Sequence, residues 1–237
     1  KTIKENKKIV VATESEFAPF EFKSLVNGKD TLVGADIELA KAIGKKLGVK
    51  VEFSVMSFDN VLASVQSGKA DIAIAGISVT DERKKVYDFS DSYYTSENVV
   101  IVKKDKVNDF TSADSLAKQT VGTQKGSVQE TIAKKQLSKA SVVSLASNGE
   151  MINELKSGQI QAVVLEKAIA EGYIAQNDDL TLASFNLKSD GSDAYAVAIR
   201  KGSDDLLKEI NAVIKETKES GKFDQWLKEA SSYKQSK

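Results

Sequence analysis

Arg83 is the side chain of this sequence best suited to hold a carboxylate. It follows the apolar run at 72–75, and Thr80 stands where it can cap a short helix and leave backbone N–H groups for an anion. A guanidinium pairs with a carboxylate through two parallel hydrogen bonds, and Ser78 can add a hydroxyl or backbone donor. The alternative is a surface arginine within the charged segment 81–85.

Glu166 ends the apolar run at 162–165, so its carboxylate should emerge from a buried strand. A carboxylate in such a position needs a cationic partner, which an α-ammonium group would supply. An ion pair with the neighbouring Lys167 is the alternative. Together, Arg83 for a carboxylate and Glu166 for an ammonium form a complementary pair for a zwitterion, which predicts a free amino acid as the ligand.

Two aromatic residues, Phe17 and Phe58, lie next to predicted strand ends. Burial in the core is the usual fate of phenylalanine. The functional alternative is a pair of walls around a ligand side chain, which gains about 0.5 to 2 kcal/mol from cation-π attraction if that side chain is cationic.

The amino-acid composition excludes several classes of partner and of catalytic or metal site. Lys+Arg and Asp+Glu both number 34, so the net charge gives no reason to expect nucleic acid or an anionic membrane as a partner. Cysteine and histidine are absent, which excludes disulfides, thiolate or imidazole metal sites, and triads with a histidine base or cysteine nucleophile. We expect a small ligand of low net charge, with no metal, no cofactor and no catalytic residue.

The elements that must position these residues alternate along the chain, with short β-branched runs between amphipathic helical patterns, which predicts an α/β fold with mostly parallel strands. The clearest helix is predicted at 35–47, stopped by Gly48. Two final helices are predicted at 203–219 and 222–230. Strands are predicted at 9–13, 51–56, 71–75, 99–103, 120–123, 142–145, 161–165 and 195–199.

An internal repeat indicates two related lobes. The segment 60–76 resembles the segment 150–166, since both contain a helix, a Ser-Gly stop and a buried strand; chance recurrence of helix-Gly-strand units is the alternative. We expect lobe 1 to contain residues 1–97 and 196–237, lobe 2 to contain 98–195, and strand crossings near 96–99 and 192–196 to form a two-strand hinge. Ligands of open α/β sheets bind at the carboxyl ends of the strands, which predicts a cleft between the lobes.

Over essentially its whole length the sequence resembles the polar amino-acid-binding proteins of ABC uptake systems, which have the type II periplasmic binding fold. Three segments carry the resemblance: ATESEFAPFEF at 12–22, GADIELAKAI at 34–43, and DIAIAGISVTDERKKVYDFSDSYY at 71–94.

The resemblance implies roles for individual residues. The arginine of the T-x-E-R segment, here Arg83, holds the ligand carboxylate with help from Ser78. The acidic residue that ends a strand of lobe 2, here Glu166 where the family commonly has Asp, binds the α-amino group together with the backbone of Ala75 and Gly76. Aromatic walls match Phe17 and Phe58, and the loop of lobe 2 contributes contacts near the carboxylate from Ser127, Val128 and Gln129.

The sequence has features of two subfamilies that bind ligands with different side chains. Ala75-Gly76 looks like the glutamine binders, whereas Glu14, two aromatic walls and Gln124 suit a cationic side chain. We favour arginine or lysine, because a carboxylate at the distal end of an aromatic sandwich is a natural guanidinium site. Glutamine is the alternative.

Two other functions share this fold. A dehydratase-type enzyme would need a general acid, for which Glu14 or Glu166 are the candidates, and the zwitterion pair argues against it. A receptor ligand-sensing domain would need transmembrane and signalling segments beyond these 237 residues. We expect instead a monomeric, non-enzymatic binding protein that delivers its ligand to the membrane permease of an ABC importer. We also expect an extracellular location with an N-terminal lipid anchor upstream of Lys1, or a periplasmic one in a Gram-negative cell.

Overall fold

The protein is described here by a computed structural model that covers residues 2–189 and 193–234. The chain divides into two compact units: unit 1 contains Lys1–Thr95 and Ala194–Lys237, and unit 2 contains Ser96–Asp193. The divisions precede the predicted lobe limits by two residues at each crossing, because Tyr94 and Thr95 pair with Tyr195 and Ala194 inside unit 1. Residue 192 of the second predicted crossing lies outside the described residues.

The helices and strands follow one another along the chain with short connections. The helices are α1 (Thr2–Asn6), α2 (Ala35–Leu47), α3 (Phe58–Gln66), α4 (Asp81–Lys84), α5 (Val128–Gln136), α6 (Asn148–Ser157), α7 (Lys167–Gln176), α8 (Asp204–Glu219) and α9 (Lys222–Ser231), with 3-10 turns at Lys104–Lys106 and Ala113–Leu116. The strands are β1 (Lys8–Thr13), β2 (Glu16–Phe17), β3 (Glu21–Val26), β4 (Lys29–Val33), β5 (Lys50–Val55), β6 (Ile72–Ala73), β7 (Tyr87–Phe89), β8 (Tyr94–Thr95), β9 (Asn98–Lys103), β10 (Thr120–Gln124), β11 (Ser141–Leu145), β12 (Ala162–Glu166), β13 (Leu180–Leu182), β14 (Ala194–Tyr195) and β15 (Ala198–Arg200).

Unit 1 is built on a five-stranded sheet with the order β5-β1-β6-β15-β7. Strand β1 is parallel to β5 and β6, while β15 is antiparallel to both β6 and β7, so four of the five strands run in one direction. Helix α3 packs on β1 and β15, and α2 packs against α8 and α9. The mostly parallel α/β architecture predicted from the sequence is confirmed.

Unit 2 repeats this plan with the order β11-β10-β12-β9-β13. Strand β10 is parallel to β11 and β12, and β9 is antiparallel to β12 and β13. The two segments of the internal repeat end in β6 and β12, which each occupy the central position of their own sheet. The repeat therefore corresponds to equivalent supersecondary units.

Several local predictions match the structure. Helix α2 has the predicted bounds, and Gly48 ends it in the left-handed region at φ 71°, where its N–H caps the carbonyls of Gly44 and Lys45. The strand predicted at 71–75 is present but shorter, since β6 contains only Ile72–Ala73. The predicted strand at 195–199 is wrong as a single element, because β14 pairs with β8 while β15 pairs with β6 and β7.

A hairpin formed by β3 and β4 was not predicted. Its turn is Asn27-Gly28, with φ of 53° and 79°, the conformation that two-residue hairpin turns require. Strand β2 pairs with β3 of this hairpin, which places Phe17 of β2 opposite Glu21 of β3. No helix within 2–189 or 193–234 is long and apolar enough to span a bilayer.

Candidate functional site

Arg83 lies in the short helix α4, which begins directly after its N-cap residue, Thr80. The Thr80 hydroxyl oxygen accepts a hydrogen bond from the Arg83 N–H at 3.1 Å, as the sequence suggested, and the Arg83 Nη1 donates to the carbonyl of Ser78 at 2.8 Å. These two bonds hold backbone and side chain in one orientation. Burial lowers the pKa of Arg83 to about 10, so the guanidinium remains positively charged at neutral pH.

Phe58 lies beneath this guanidinium. The Arg83 Cζ is 5.8 Å from the centroid of the Phe58 ring, within cation-π range. Phe58 is buried at the start of α3 and belongs to the same core cluster as Val61 and Val65. Phe58 is thus a core residue whose ring lies within cation-π range of the protein's own Arg83. Its predicted role as a wall around the side chain of the ligand stays a prediction.

Gly76 follows β6 in a backbone conformation that favours glycine. Its φ is 58°, and a Cβ built there would lie 2.2 Å from Cε2 of Phe17 and 3.2 Å from Cε2 of Tyr195. The Gly76 N–H donates to Oδ2 of Asp36 at 2.8 Å. The predicted site residues Phe17 and Gly76 are therefore in direct contact, and the Asp36 carboxylate restrains the backbone N–H of Gly76.

The remaining predicted residues of unit 1 are also buried. Glu14 follows β1 and is 3% exposed, Ala75 is fully buried, and Ser78 is 2% exposed and forms a β-bridge with Tyr195. The role predicted for Glu14, binding a cationic group of the ligand, stays a prediction.

In unit 2, the predicted loop forms the N-terminus of α5. The Ser127 hydroxyl caps this helix by accepting from the Glu130 N–H at 3.2 Å, and it donates to the Gln124 carbonyl at 2.6 Å. Gln124 ends β10, and its Nε2 donates to the Ala146 carbonyl at 3.4 Å. Val128 begins the helix and is buried. Backbone N–H groups at such a helix start favour an anion such as a carboxylate.

Gln129 and Glu166 are linked through a residue that the sequence did not single out, Asn98. The Gln129 Nε2 donates to Oδ1 of Asn98 at 2.7 Å, and Asn98 is the β9 partner of Glu166 in the sheet. The polarity of Asn98 at the start of an apolar strand was the available signal. Its amide is thus positioned between two predicted site residues.

Glu166 is fully buried, ends β12 and caps α7. Its Oε1 and Oε2 accept from the Ala168 N–H at 3.1 and 2.8 Å. The alternative of an ion pair with Lys167 receives no support, since Lys167 Nζ lies 3.7 Å from a carboxylate oxygen of Glu97. A carboxylate at a helix N-terminus is stabilised in its charged form by the helix dipole, which suits it to receive an ammonium group.

Two buried acidic residues of unit 1, Glu21 and Asp36, were not predicted from the sequence, and Asp36 contacts the predicted site residue Gly76. Burial raises the pKa of Glu21 well above its ordinary value, and the negative charge of Asp36 raises it further. Burial raises the pKa of Asp36 as well, while hydrogen bonding to Glu21, Tyr93 and Gly76 opposes that shift. Within the described ranges no group of acidic side chains is arranged to hold a metal ion.

Residues 9–230 match the family model of bacterial extracellular solute-binding proteins, family 3. The chain belongs to this family. Among its relatives is the arginine-binding extracellular protein ArtP of Bacillus subtilis, 34% identical over 94% of this chain and 85% of the relative. The glutamine-binding protein GlnH of the same organism is 32% identical over 96% of this chain and 84% of the relative.

A solved structure, the amino acid ABC transporter substrate-binding protein AbpA of Streptococcus pneumoniae bound to L-arginine, is 51% identical with a TM-score of 0.94 over 97% of both chains. The two-lobed periplasmic-binding-protein architecture expected from the sequence is confirmed by this likeness. As a family 3 solute-binding protein, the chain is a transport binding protein of the extracellular or periplasmic class.

Proposed function

We propose that this protein binds free L-arginine outside the cytoplasm and presents it to the permease of an ABC importer. The observation that carries the proposal is the arrangement of Arg83, whose guanidinium is held by the Ser78 carbonyl over the Phe58 ring. Similarity to ArtP and to arginine-bound AbpA supports the choice of ligand.

Each charged group of the ligand has a matching group in the protein. The α-carboxylate binds Arg83, assisted by Ser78 and by the Ser127, Val128 and Gln129 segment at the start of α5. The α-ammonium binds the Glu166 carboxylate and the backbone of Ala75 and Gly76. An unpaired buried ion costs several kcal/mol, so opposite charges supplied by different units make the bound state depend on the ligand.

The guanidinium of the ligand goes to Glu14, with Phe17, Phe58 and Gln124 around the side chain. Glu14 is almost completely buried at the end of β1, and a carboxylate can accept two parallel hydrogen bonds from a guanidinium. Glutamine is the second candidate, favoured by the likeness to GlnH, because an amide can use Gln124 without needing a charge.

Calorimetric titration with free L-amino acids tests the proposal, beginning with arginine, lysine, histidine and glutamine. Glu14→Gln should weaken arginine binding by about 2 kcal/mol or more, roughly 30-fold, and leave glutamine binding unchanged. The matched control is Glu16→Gln, which changes an exposed carboxylate two residues away. Tight glutamine binding without arginine binding would overturn the ligand, and no amino acid binding would overturn the function.

The proposal has four further parts: hinge closure, a monomeric state, the lack of enzymatic activity and a lipid anchor. Arginine closes the protein by a hinge at the two chain crossings, which small-angle scattering would register as a smaller radius of gyration; an unchanged radius would exclude closure.

The protein acts as a monomer without enzymatic activity, held on the outer face of the membrane by an N-terminal lipid. A dimer in sedimentation, turnover of bound arginine, or lack of lipid on the cellular protein would each contradict one of these points.

A further inference from the structure

Asp36 is the most deeply buried charged group that contacts the proposed arginine site of unit 1. It lies in the first turn of α2, with no exposure to solvent, and its Oδ2 accepts from the Gly76 N–H at 2.8 Å. The first turn of α2 is itself fixed to the segment that carries Phe17, because the N–H groups of Ala35 and Asp36 donate to the carbonyls of Pro19 and Phe20.

We propose that Asp36 is a positioning residue of the amino-acid site, holding Gly76 in the left-handed conformation in which Gly76 contacts Phe17 and faces the ligand's α-ammonium. The proposal rests on the proposed function for its ligand. Gly76 has no side chain to fix its conformation, so the 2.8 Å bond to Asp36 is the described interaction that restrains its N–H.

Glu21 is the acidic neighbour of Asp36 in this arrangement. Within the described part of the chain, its two carboxyl oxygens and Oδ1 of Asp36 are buried with no hydrogen bond of standard geometry, and the two carboxyl groups are the ones placed to share a hydrogen bond with each other. Two ionised carboxylates only accept hydrogen bonds, so a proton on Glu21 is what allows it to donate to Asp36. Asp36 then keeps its negative charge and remains the acceptor for the Gly76 N–H.

The surroundings of Glu21 favour this single shared proton. Glu14, Asp36, Tyr93 and Tyr195 are the titratable groups of the cluster, and no cation is among the groups that shift the pKa of Glu21 or Tyr93. Burial and the neighbouring acidic groups raise the pKa of Glu21 and of Tyr93, which favours the protonated form of both.

The test compares Asp36→Asn with Asp36→Ala in the full chain by calorimetry with arginine. The Asn amide oxygen can accept from Gly76 while its NH₂ group donates to Glu21, so we expect a Kd within about threefold of the wild type. Alanine removes the acceptor, and we expect a Kd at least about tenfold weaker. Equal weakening by both variants would show that the charge of Asp36 matters and not its hydrogen bond, and would overturn the proposal.

A second ligand separates positioning from general loss of structure. 5-Guanidinopentanoic acid is arginine without its α-amino group, so Asp36→Ala should weaken arginine more than it weakens this analogue, because Gly76 contacts the ammonium. A protein damaged throughout would lose affinity for both ligands in the same ratio. An equal loss would therefore contradict the role given to Asp36.

A readout without ligand keeps the inference separate from the proposed function. Hydrogen exchange of the Gly76 amide should be faster in Asp36→Ala than in Asp36→Asn or in the wild type. In the same way, Glu21→Gln should retain protection of Gly76, and Glu21→Leu should lose it. If the wild type binds no amino acid, the proposed function is wrong, and this exchange pattern still tests whether Asp36 positions Gly76. If Asp36→Ala leaves both the exchange of Gly76 and the affinity for arginine unchanged, the positioning role of Asp36 is wrong and the proposed function is unaffected.

Discussion

Arg83 and Phe58 form a cation-π pair in which the Cζ atom lies 5.8 Å from the ring centroid. The pair joins the proposed carboxylate-binding group to the core of unit 1, since Phe58 packs with Val61 and Val65 of the same helix. A guanidinium fixed in this way loses less freedom when it binds a ligand, because its orientation is already set.

Phe58→Leu should weaken arginine binding by about 0.5 to 2 kcal/mol, roughly 2- to 30-fold in Kd, because leucine fills the core but offers Arg83 no aromatic face. Phe110→Leu is the matched control, since both phenylalanines are 7% exposed and belong to hydrophobic cores of different units. Calorimetry and urea unfolding should show similar losses of stability and a loss of affinity only at Phe58. Equal affinities in the two variants would contradict the role of the ring.

Glu166→Gln should weaken arginine binding by about 2 kcal/mol or more, roughly 30-fold, because the amide no longer balances the ligand ammonium. The melting temperature should be unchanged or higher, since the amide oxygen can still cap α7 at Ala168 and a buried charge has been removed. Glu97→Gln is the control, because it removes the exposed partner of Lys167. Weaker binding in the control and not in Glu166→Gln would reverse the assignment.

Gly76→Ala should destabilise unit 1 and abolish tight binding. A residue with a Cβ costs about 1 to 2 kcal/mol in the left-handed region, and at Gly76 the new atom would also meet the Phe17 ring 2.2 Å away. Gly158→Ala supplies the comparison, because Gly158 has a φ of 85° but no atom within 4 Å of the point where a Cβ would lie. Urea unfolding should show the larger loss at Gly76, and equal losses would argue against the contact with Phe17.

The stability of the protein should depend on the protonation of Glu21. The folded state keeps the Glu21 proton above about pH 4.5, where the unfolded chain has lost it, because burial and Asp36 raise the pKa. Unfolding then releases a proton, so this group lowers stability by about 1.4 kcal/mol per pH unit as pH rises from the unfolded pKa towards the raised folded pKa, above which the loss levels off.

Urea unfolding at several pH values, in the wild type and in Glu21→Gln, isolates this contribution. The variant should lose less stability than the wild type between pH 5 and pH 7, because its amide does not titrate. Parallel curves for the two proteins would mean that Glu21 titrates normally in the folded state.

The α/β fold could be predicted from the sequence, and Arg83 and Glu166 could be proposed as site residues, from local features of the chain. Helix α2 combines a regular apolar face with a glycine stop. Glu166 is a charged residue at the end of an apolar run, and Arg83 follows a helix cap, Thr80, soon after another apolar run. These are local signals, readable without knowledge of tertiary contacts.

The residues that were missed depend on contacts between distant segments. Asp36 looks like an ordinary acidic residue in a first helical turn, and only its bond to Gly76, 40 positions later, reveals its burial. Glu21 lies on a hairpin whose Asn27-Gly28 turn is a recognisable signal, but its closeness to Asp36 follows from packing alone. Asn98 likewise gains meaning only from its pairing with Glu166 and its bond to Gln129.

The most direct test of the central claim is calorimetric titration of L-arginine into the wild type, Arg83→Lys and Arg200→Lys. Lysine keeps the charge but loses the planar fork, so Arg83→Lys should bind at least about tenfold more weakly. Arg200, whose Nη1 donates to the carbonyls of Val65 and Ala70, should tolerate the same change with no effect on affinity. Tight wild-type binding lost only at Arg83 is the predicted result; a wild type that does not bind arginine, or an Arg83→Lys variant that binds as tightly, would contradict the account.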